Sequence, residues 1–326
     1  MSRKVKVAAF TTDYLRTQPR TLEQNLDWTC ETIDLLAAEA PDIITLTEVF
    51  DCRELDLKCW EKAQVLDGPT FTRMAAKARE HHCYIICSFI ERRDGRLYNT
   101  SAVIDRRGEL VGRYDKIHPT TTQAYDADYD GELEEFITPG RTAPTVLQTD
   151  FGAIGCQICF DANWHAGWGE LKRAGAEIIF FSSAFSAGRI LQSIATLYHL
   201  PIVAACRQPR CRIIDRDGLI ISRQGDYQRW VCDTLDLDNP LFHLDGQWAK
   251  MEEIRKRFGP AIKIRVYEEE GWWRIMPLRE DLEIPPIIRE YGLQTLEEYF
   301  AAAERIQDER RAQPLAAPQA KPVVAR

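Results

Sequence analysis

The chain has 326 residues, enough for one large domain or two ordinary ones, and its 45% hydrophobic and 28% charged residues suit a globular protein with a sizeable core. A net charge of −8 and a pI near 5.4 argue against a nucleic-acid or anionic-membrane surface as the main partner and favour a small molecule or a protein. No apolar run reaches the roughly 20 residues of a membrane span, no signal-peptide core follows Met1, and ten cysteines are too sparse for a disulfide scaffold, so a cytoplasmic protein with reduced thiols is expected.

In chain order, Lys4 to Phe10 reads as a strand, and Thr21-Leu22-Glu23-Gln24 has the capping-box pattern that opens a helix with the apolar stripe Leu22, Leu26, Ile33 and Leu36. Pro41 ends that helix, and the compact strand Asp42 to Leu46 delivers Glu48 to its C-terminal end. A helix from Gly68-Pro69 to about His82 precedes a strand at Tyr84 to Ile90. Tyr98 to Ile104 and Glu109 to Tyr114 form a hairpin whose exit carries Lys116.

The acidic stretch Thr120 to Gly140 is longer than most connections, which suggests a binding or lid role. After a strand at Thr145 to Gln148, the apolar run Ala153 to Ile158 reads as a buried strand that stops at Cys159, ahead of a helical pattern around Trp168 to Lys172. A thiol at such a strand-to-helix turn stands up from the sheet edge, near backbone N–H groups that lack partners, so Cys159 is the candidate nucleophile. Ala176 to Phe181 is the next strand, with Ser183 at its exit, followed by a helix from Arg189 to His199. Strands at Pro201 to Cys206, Arg212 to Ile214, Leu219 to Ser222 and Trp230 to Leu235 bring the count to about a dozen, a two-sheet, helix-flanked α/β arrangement.

Past Asp238-Asn239-Pro240 the texture changes to a helix (Gln247 to Phe258), strands at Ile262 to Tyr267 and Trp272 to Met276, and a capped helix from Thr295 to about Arg311 with Leu296, Phe300 and Ala303 on one face. The chain thus divides into a domain over 1–239, an extension over 240–312 that packs on that domain or on a partner subunit, and an Ala- and Pro-rich tail over 313–326 expected to be disordered.

Glu48, Lys116 and Cys159 each follow a strand, so a sheet that sets those ends side by side would cluster a carboxylate, an ammonium and a thiol. The segments Pro41-Asp42-Ile43-Ile44-Thr45-Leu46-Thr47-Glu48, Gly112-Arg113-Tyr114-Asp115-Lys116-Ile117-His118 and Gly155-Cys156-Gln157-Ile158-Cys159-Phe160-Asp161 resemble, in this order, the three signatures of the nitrilase or carbon–nitrogen hydrolase superfamily. The resemblance covers about residues 4–236. It implies an α/β fold, an αββα sandwich of two sheets flanked by helices, that pairs into a homodimer or larger homo-oligomer.

It also implies a cofactor-free and metal-free hydrolase of a non-peptide C–N bond in a small amide or N-carbamoyl compound. In that scheme Cys159 is the nucleophile and Glu48 the base, while Lys116 and the Phe160 N–H hold the oxyanion. A second glutamate belongs on the loop before Pro139-Gly140, where Glu132, Glu134 and Glu135 compete and Glu134 is favoured. Ser183, Trp164 and His165 join the candidate substrate-binding residues, although the helix after Cys159 can equally turn Trp164 and His165 into the core or an interface.

Departures after the nucleophile (Asn163-Trp164-His165-Ala166), in the helix containing Gln192 and Tyr198, and at Cys206 leave the substrate open. Nitrile hydrolysis, acyl transfer to an amine, and a catalytically idle binding member remain alternatives. Cys156 and Cys159 have C-x-x-C spacing, but positions 156 and 159 of one strand face opposite ways and no second pair accompanies them. His81, His82, Cys83 and Cys87 read as a helix end and a core strand, not a metal cluster. Arg207, Arg210 and Arg212 lie just past a core strand, where solvation is favoured over a clamp on a substrate carboxylate.

Overall fold

A computed structural model describes residues 2–11, 21–52, 55, 57–120, 134, 136–208 and 210–315; Glu132, Glu135 and the part of the expected tail over 316–326 lie outside the described residues. The chain divides into two compact units, one over Lys4–Leu235 and one combining the residues on either side of it.

The larger unit contains the strands β1 (Lys4–Phe10), β2 (Ile43–Thr45), β3 (Tyr84–Arg93), β4 (Arg96–Ile104), β5 (Leu110–Asp115), β6 (Val146–Gln148), β7 (Ala153–Ile158), β8 (Ile178–Ser183), β9 (Ile202–Cys206), β10 (Arg212–Ile214), β11 (Ile220–Arg223) and β12 (Trp230–Asp236). Its helices are α1 (Leu22–Leu36), α2 (Cys59–Lys62), α3 (Pro69–His81), α4 (His165–Arg173) and α5 (Gly188–Tyr198). The strands form two six-stranded mixed sheets in the orders β12-β1-β2-β3-β4-β5 and β11-β10-β9-β8-β7-β6. The dozen strands expected from hydrophobic patterning are therefore present, with ends shifted by at most three residues.

Period-two alternation explains the layering. In the first sheet Ala8, Phe10, Ile44, Ile85, Cys87, Phe89 and Ala102 point one way and pack with Leu26, Ile33 and Leu36 of α1 and Met74 and Ala78 of α3. In the second sheet Ile179, Phe181, Ile202 and Ala204 pack with Trp168 and Leu171 of α4 and Leu191 and Ile194 of α5. The other faces meet between the sheets, where the Ser182 hydroxyl donates to the Leu46 carbonyl at 2.8 Å. The result is an αββα sandwich.

Local sequence sets the element ends. Thr21 Oγ1 accepts from the Gln24 N–H at 3.2 Å and the Gln24 side chain returns a 2.9 Å bond to the Thr21 N–H. Such a box stabilises a helix start by about 1 kcal/mol. Pro69 opens α3, where its missing N–H costs nothing.

Residues from Asp236 on form a smaller body together with those before Lys4, to which Arg3 contributes by donating to Asp238 from its backbone at 2.7 Å and from Nε at 3.0 Å. It holds β13 (Phe242–His243), α6 (Trp248–Phe258), β14 (Ile262–Tyr267), β15 (Trp272–Pro277), α7 (Ile284–Tyr291) and α8 (Leu296–Ala312), with a sheet ordered β13-β15-β14. Phe242, Met251, Ile254, Trp273, Ile275, Ile284 and Ile287 make its core. Pro285-Pro286 hides α7 in the sequence, because two prolines read as a break although both sit in the first turn, where proline is tolerated. On α8 the expected apolar face is not buried as a whole: Leu296 is 1% exposed but Phe300 is 51% exposed. Among the described residues no helix is long and apolar enough to cross a membrane.

One glycine fixes the exit of β5. The Gly140 N–H donates to the Lys116 carbonyl at 2.8 Å, and a Cβ at position 140 would fall 2.1 Å from the Asp115 carbonyl oxygen. Gly140→Ala must therefore displace backbone at that exit, and we expect the free energy of unfolding measured in urea to fall by about 1–3 kcal/mol.

Candidate active site

Three strand ends deliver the charged and nucleophilic groups. Because β2 runs parallel to β3, and β4 and β5 return by hairpins, β2 and β5 finish at the same end of the first sheet. Glu48 stands three residues past β2 and Lys116 one residue past β5. Cys159 follows β7 of the second sheet and opens a 3₁₀ turn, Cys159–Asn163, before α4. The expected strand-to-helix junction is thus a strand, a 3₁₀ turn and then a helix.

Cys159 has φ +47° and Val49, directly after Glu48, also has φ +47°. The left-handed region is unfavourable for both, and most of all for a β-branched valine. Both outliers sit beside residues marked for chemistry, and both redirect the chain abruptly as it leaves a sheet.

The side chains meet at Lys116. Its Nζ lies 2.8 Å from Glu48 Oε1 and 2.6 Å from Glu134 Oε2, with Lys116 1% exposed, Glu48 4% and Glu134 9%. The Asn99 amide nitrogen donates to the same two carboxylates, at 2.9 Å to Glu48 Oε1 and 2.6 Å to Glu134 Oε1. Glu48 Oε2 accepts from the Ala184 N–H at 3.0 Å, and Glu134 Oε2 from the Thr120 N–H at 2.9 Å. Each carboxylate oxygen therefore has a donor.

Burial by itself pushes the Glu48 carboxyl up, but Lys116 and then Arg207 outweigh it, and the group is held below the ordinary carboxylate range. Burial works against the Lys116 ammonium, yet Glu48 and Glu134 raise its pKa above the usual lysine value. The Cys159 thiol is pushed up to about 12, chiefly by burial and next by the Glu48 charge, against the opposing pull of Lys116 and hydrogen bonds from the Ala184 backbone and the Ser183 side chain. The resting arrangement is a neutral thiol beside an ionised carboxylate.

These groups face a cavity of about 400 Å³, at the smaller end of small-molecule sites. Val49, Ile90, Phe160, Ala184 and Phe185 form its apolar wall, and Thr120, Asn163 and Arg207 add polar groups. Of the sequence candidates, Glu48, Lys116, Glu134, Cys159 and Phe160 line this space. Ser183 is fully buried, and its hydroxyl accepts from the Phe185 N–H at 3.0 Å. Trp164 and His165 are not on the cavity wall. The Trp164 ring stacks on His118, centroids 3.8 Å apart, and the His165 carbonyl accepts from Tyr198 Oη at 3.0 Å as α4 begins. The turn after Cys159 carries both side chains away, and Asn163 takes the position facing the cavity.

Arg207 is also placed differently from the solvated surface that its polar context favours, since it lines the cavity. Asn99 bears no motif. Its only trace in the sequence is an amide inside a strand, at Asn99 opposite Ile90. Asp161 holds the turn from beneath, accepting from Tyr114 Oη at 2.8 Å, the His118 N–H at 2.9 Å and the Ile158 N–H at 3.0 Å.

Among the described residues the metal-ligand side chains that gather in one place are Asp34, Glu80 and His81. The Lys77 ammonium already bonds Asp34 at 2.6 Å and Glu80 at 2.9 Å, so those acids are compensated without an ion.

The carbon–nitrogen hydrolase family model matches residues 6–238. An N-carbamoylputrescine amidase of Solanum lycopersicum is 28% identical over 184 residues, 51% of this chain and 59% of the relative, so the match spans less than two-thirds of that protein. A deaminated glutathione amidase of Synechocystis sp. (strain PCC 6803 / GT-S) is 26% identical over 268 residues, covering 76% of this chain and 94% of the relative. An omega-amidase of Xenopus tropicalis is 27% identical over 237 residues, covering 66% and 84%. Among solved structures, a carbon–nitrogen hydrolase from Helicobacter pylori G27 superposes with a TM-score of 0.61 at 16% identity, over 79% of this chain and 94% of the other. An amidase from Nesterenkonia sp. gives 0.59 at 15% identity, over 77% and 96%. These two likenesses concern the fold.

The charge cluster makes a stability prediction. Replacing Lys116 by Met leaves two buried carboxylates without their cation, and we expect the unfolding free energy at neutral pH to drop by about 3–5 kcal/mol in denaturant titrations. Cys159→Ala removes no charge partner, and its midpoint should stay close to that of the parent.

Proposed function

Because this chain belongs to the carbon–nitrogen hydrolase family, we propose that it hydrolyses the C–N bond of a small amide or N-carbamoyl compound through a Cys159 thioester. The observation that carries the reading is the convergence of Cys159, an ionised Glu48 and a cationic Lys116 on one cavity. That relatives at 26–28% identity are amidases favours amides over nitriles.

In the proposed cycle the amide carbonyl enters against the thiol. Glu48 takes the thiol proton as sulfur attacks carbon, so a thiolate is needed only while the new bond forms. Charge developing on the carbonyl oxygen is met by Lys116 Nζ and by the Phe160 N–H at the head of the 3₁₀ turn, where early N–H groups have no helical partner. The tetrahedral adduct collapses as Glu48 passes its proton to nitrogen, releasing ammonia or an amine and leaving the thioester. Water then attacks the thioester with Glu48 as base, and sulfur regains a proton as the acid leaves. Glu134 and Asn99 act by positioning, since they fix Lys116 and Glu48 without reaching the reacting atoms. We further propose a homodimer or larger homo-oligomer, which light scattering at micromolar concentration would check.

Two measurements test the chemistry. Ammonia release from a panel of amides and N-carbamoyl amino acids should fall at least about a thousandfold in Cys159→Ala and about a hundredfold in Glu48→Gln. A loss of under about tenfold in Cys159→Ala would rule the reading out. Protonation of Glu48 removes the base, so kcat/KM for a neutral amide falls on acidification only below the ordinary carboxylate range, and the thiol adds no step near neutrality. The profile should be flat from about pH 5 to about pH 9, whereas a step near pH 8.5, where an ordinary thiol ionises, would contradict the carboxylate–thiol resting state.

A further inference from the structure

Among the described residues Arg207 is a cavity-lining cation that no acid on the cavity wall hydrogen-bonds, although its charge acts on Glu48 through space. It follows β9 directly, and its backbone is fixed from both sides: its N–H donates to the Ser183 carbonyl at 3.1 Å and its carbonyl accepts from Thr11 Oγ1. Its Nε is buried and has no hydrogen-bond partner among the described residues. The nearby acids are already engaged. Glu48 Oε1 accepts from Lys116 and Asn99 and Oε2 from Ala184, while Glu134 accepts from Asn99, Lys116 and Thr120.

A guanidinium is permanently charged and offers a planar fork of donors that matches a carboxylate. Sharing the cavity wall with Val49, Ile90 and Phe185, it has given up part of its hydration at Nε with no hydrogen-bond partner among the described residues in return. Such a group gains most from an anion carried in by a ligand. From this we infer that Arg207 binds a carboxylate at the far end of the substrate, and that the substrate is a small amide bearing a free carboxylate away from the scissile bond. The inference rests on the amide-hydrolase reading and narrows it. It separates acid-ended amides from amides ending in an ammonium, which the guanidinium repels. Chain length between the two ends is left to experiment, and a series settles it.

The test compares succinamate and glutaramate with the neutral butanamide and pentanamide, and with ammonium-ended amides of matching length. The parent protein should turn over an acid-ended amide at least about tenfold better, by kcat/KM, than its neutral counterpart, and the ammonium-ended amide worst. In Arg207→Gln that ratio should collapse toward one through KM, and Arg207→Lys should restore part of it. Equal losses on acid-ended and neutral amides, carried in kcat, would overturn the inference and assign Arg207 to support of Glu48.

A binding measurement keeps the two readings apart. Calorimetric titration of glutarate into Cys159→Ala should show saturable binding that disappears when Arg207→Gln is added, with thermal unfolding checking that both variants are folded. Absence of glutarate binding beside normal amide turnover overturns the carboxylate site alone. Arg207-dependent binding without turnover of any amide supports the carboxylate site and counts against the hydrolase.

Discussion

The structure depends on one buried ammonium. Lys116 touches Glu48 and Glu134 at 2.8 and 2.6 Å, where all three residues are buried apart from the face they show to the cavity. Two carboxylates of like charge repel each other in such a volume. The ammonium between them offsets that repulsion and holds the Glu48 carboxyl below the ordinary carboxylate range, and Asn99 bridges the two on a second line of contact. The geometry of Glu48 is therefore a product of charge balance, and the sandwich supplies the rigid strand ends on which that balance is built.

Those ends come from different sheets. Glu48 and Lys116 follow β2 and β5 of one sheet, in which Asn99 lies on β4, while Cys159 and the Ala184 N–H follow β7 and β8 of the other. A bond such as Ala184 N–H to Glu48 Oε2 thus links the sheets at the site itself. The positive φ angles at Val49 and Cys159 bring both chains out of their sheets and over the cavity. That backbone cost is sustained by buried bonds beneath, above all those converging on Asp161.

Legibility in the sequence followed the range of the interactions. Buried strands with period-two faces and capped helices are written locally, so β1 to β12 and α1, α3 and α6 are readable, as is the rule that groups at strand ends can converge. What pairs with what across dozens of residues is not local. Asn99 looks like any strand amide until hairpin register sets it against Glu48 and Glu134. Trp164 looks like a pocket residue because it follows the thiol closely, yet the 3₁₀ turn rotates it onto His118. Arg207 looks like a surface arginine because its neighbours Gln208 and Arg210 are polar, and only the fold shows that the first residue past β9 faces inward. Composition masked α7 for a different reason: proline disfavours a helix interior but suits its first turn, and without the start the two cases look alike.

The thiol completes the logic. A cysteine pushed up to about 12 is a poor store of thiolate, and a site meant to hold a reactive anion at rest would place the sulfur beside a cation with no carboxylate near it. In the proposed cycle the negative charge rests on Glu48, held there by Lys116, and moves to sulfur only as a carbonyl carbon arrives to accept it. As it passes on to the carbonyl oxygen, the ammonium that stabilised the carboxylate is within the same cavity to stabilise the oxyanion. In that cycle one cation serves the charge in successive positions, a role that fits its burial and its two carboxylate contacts.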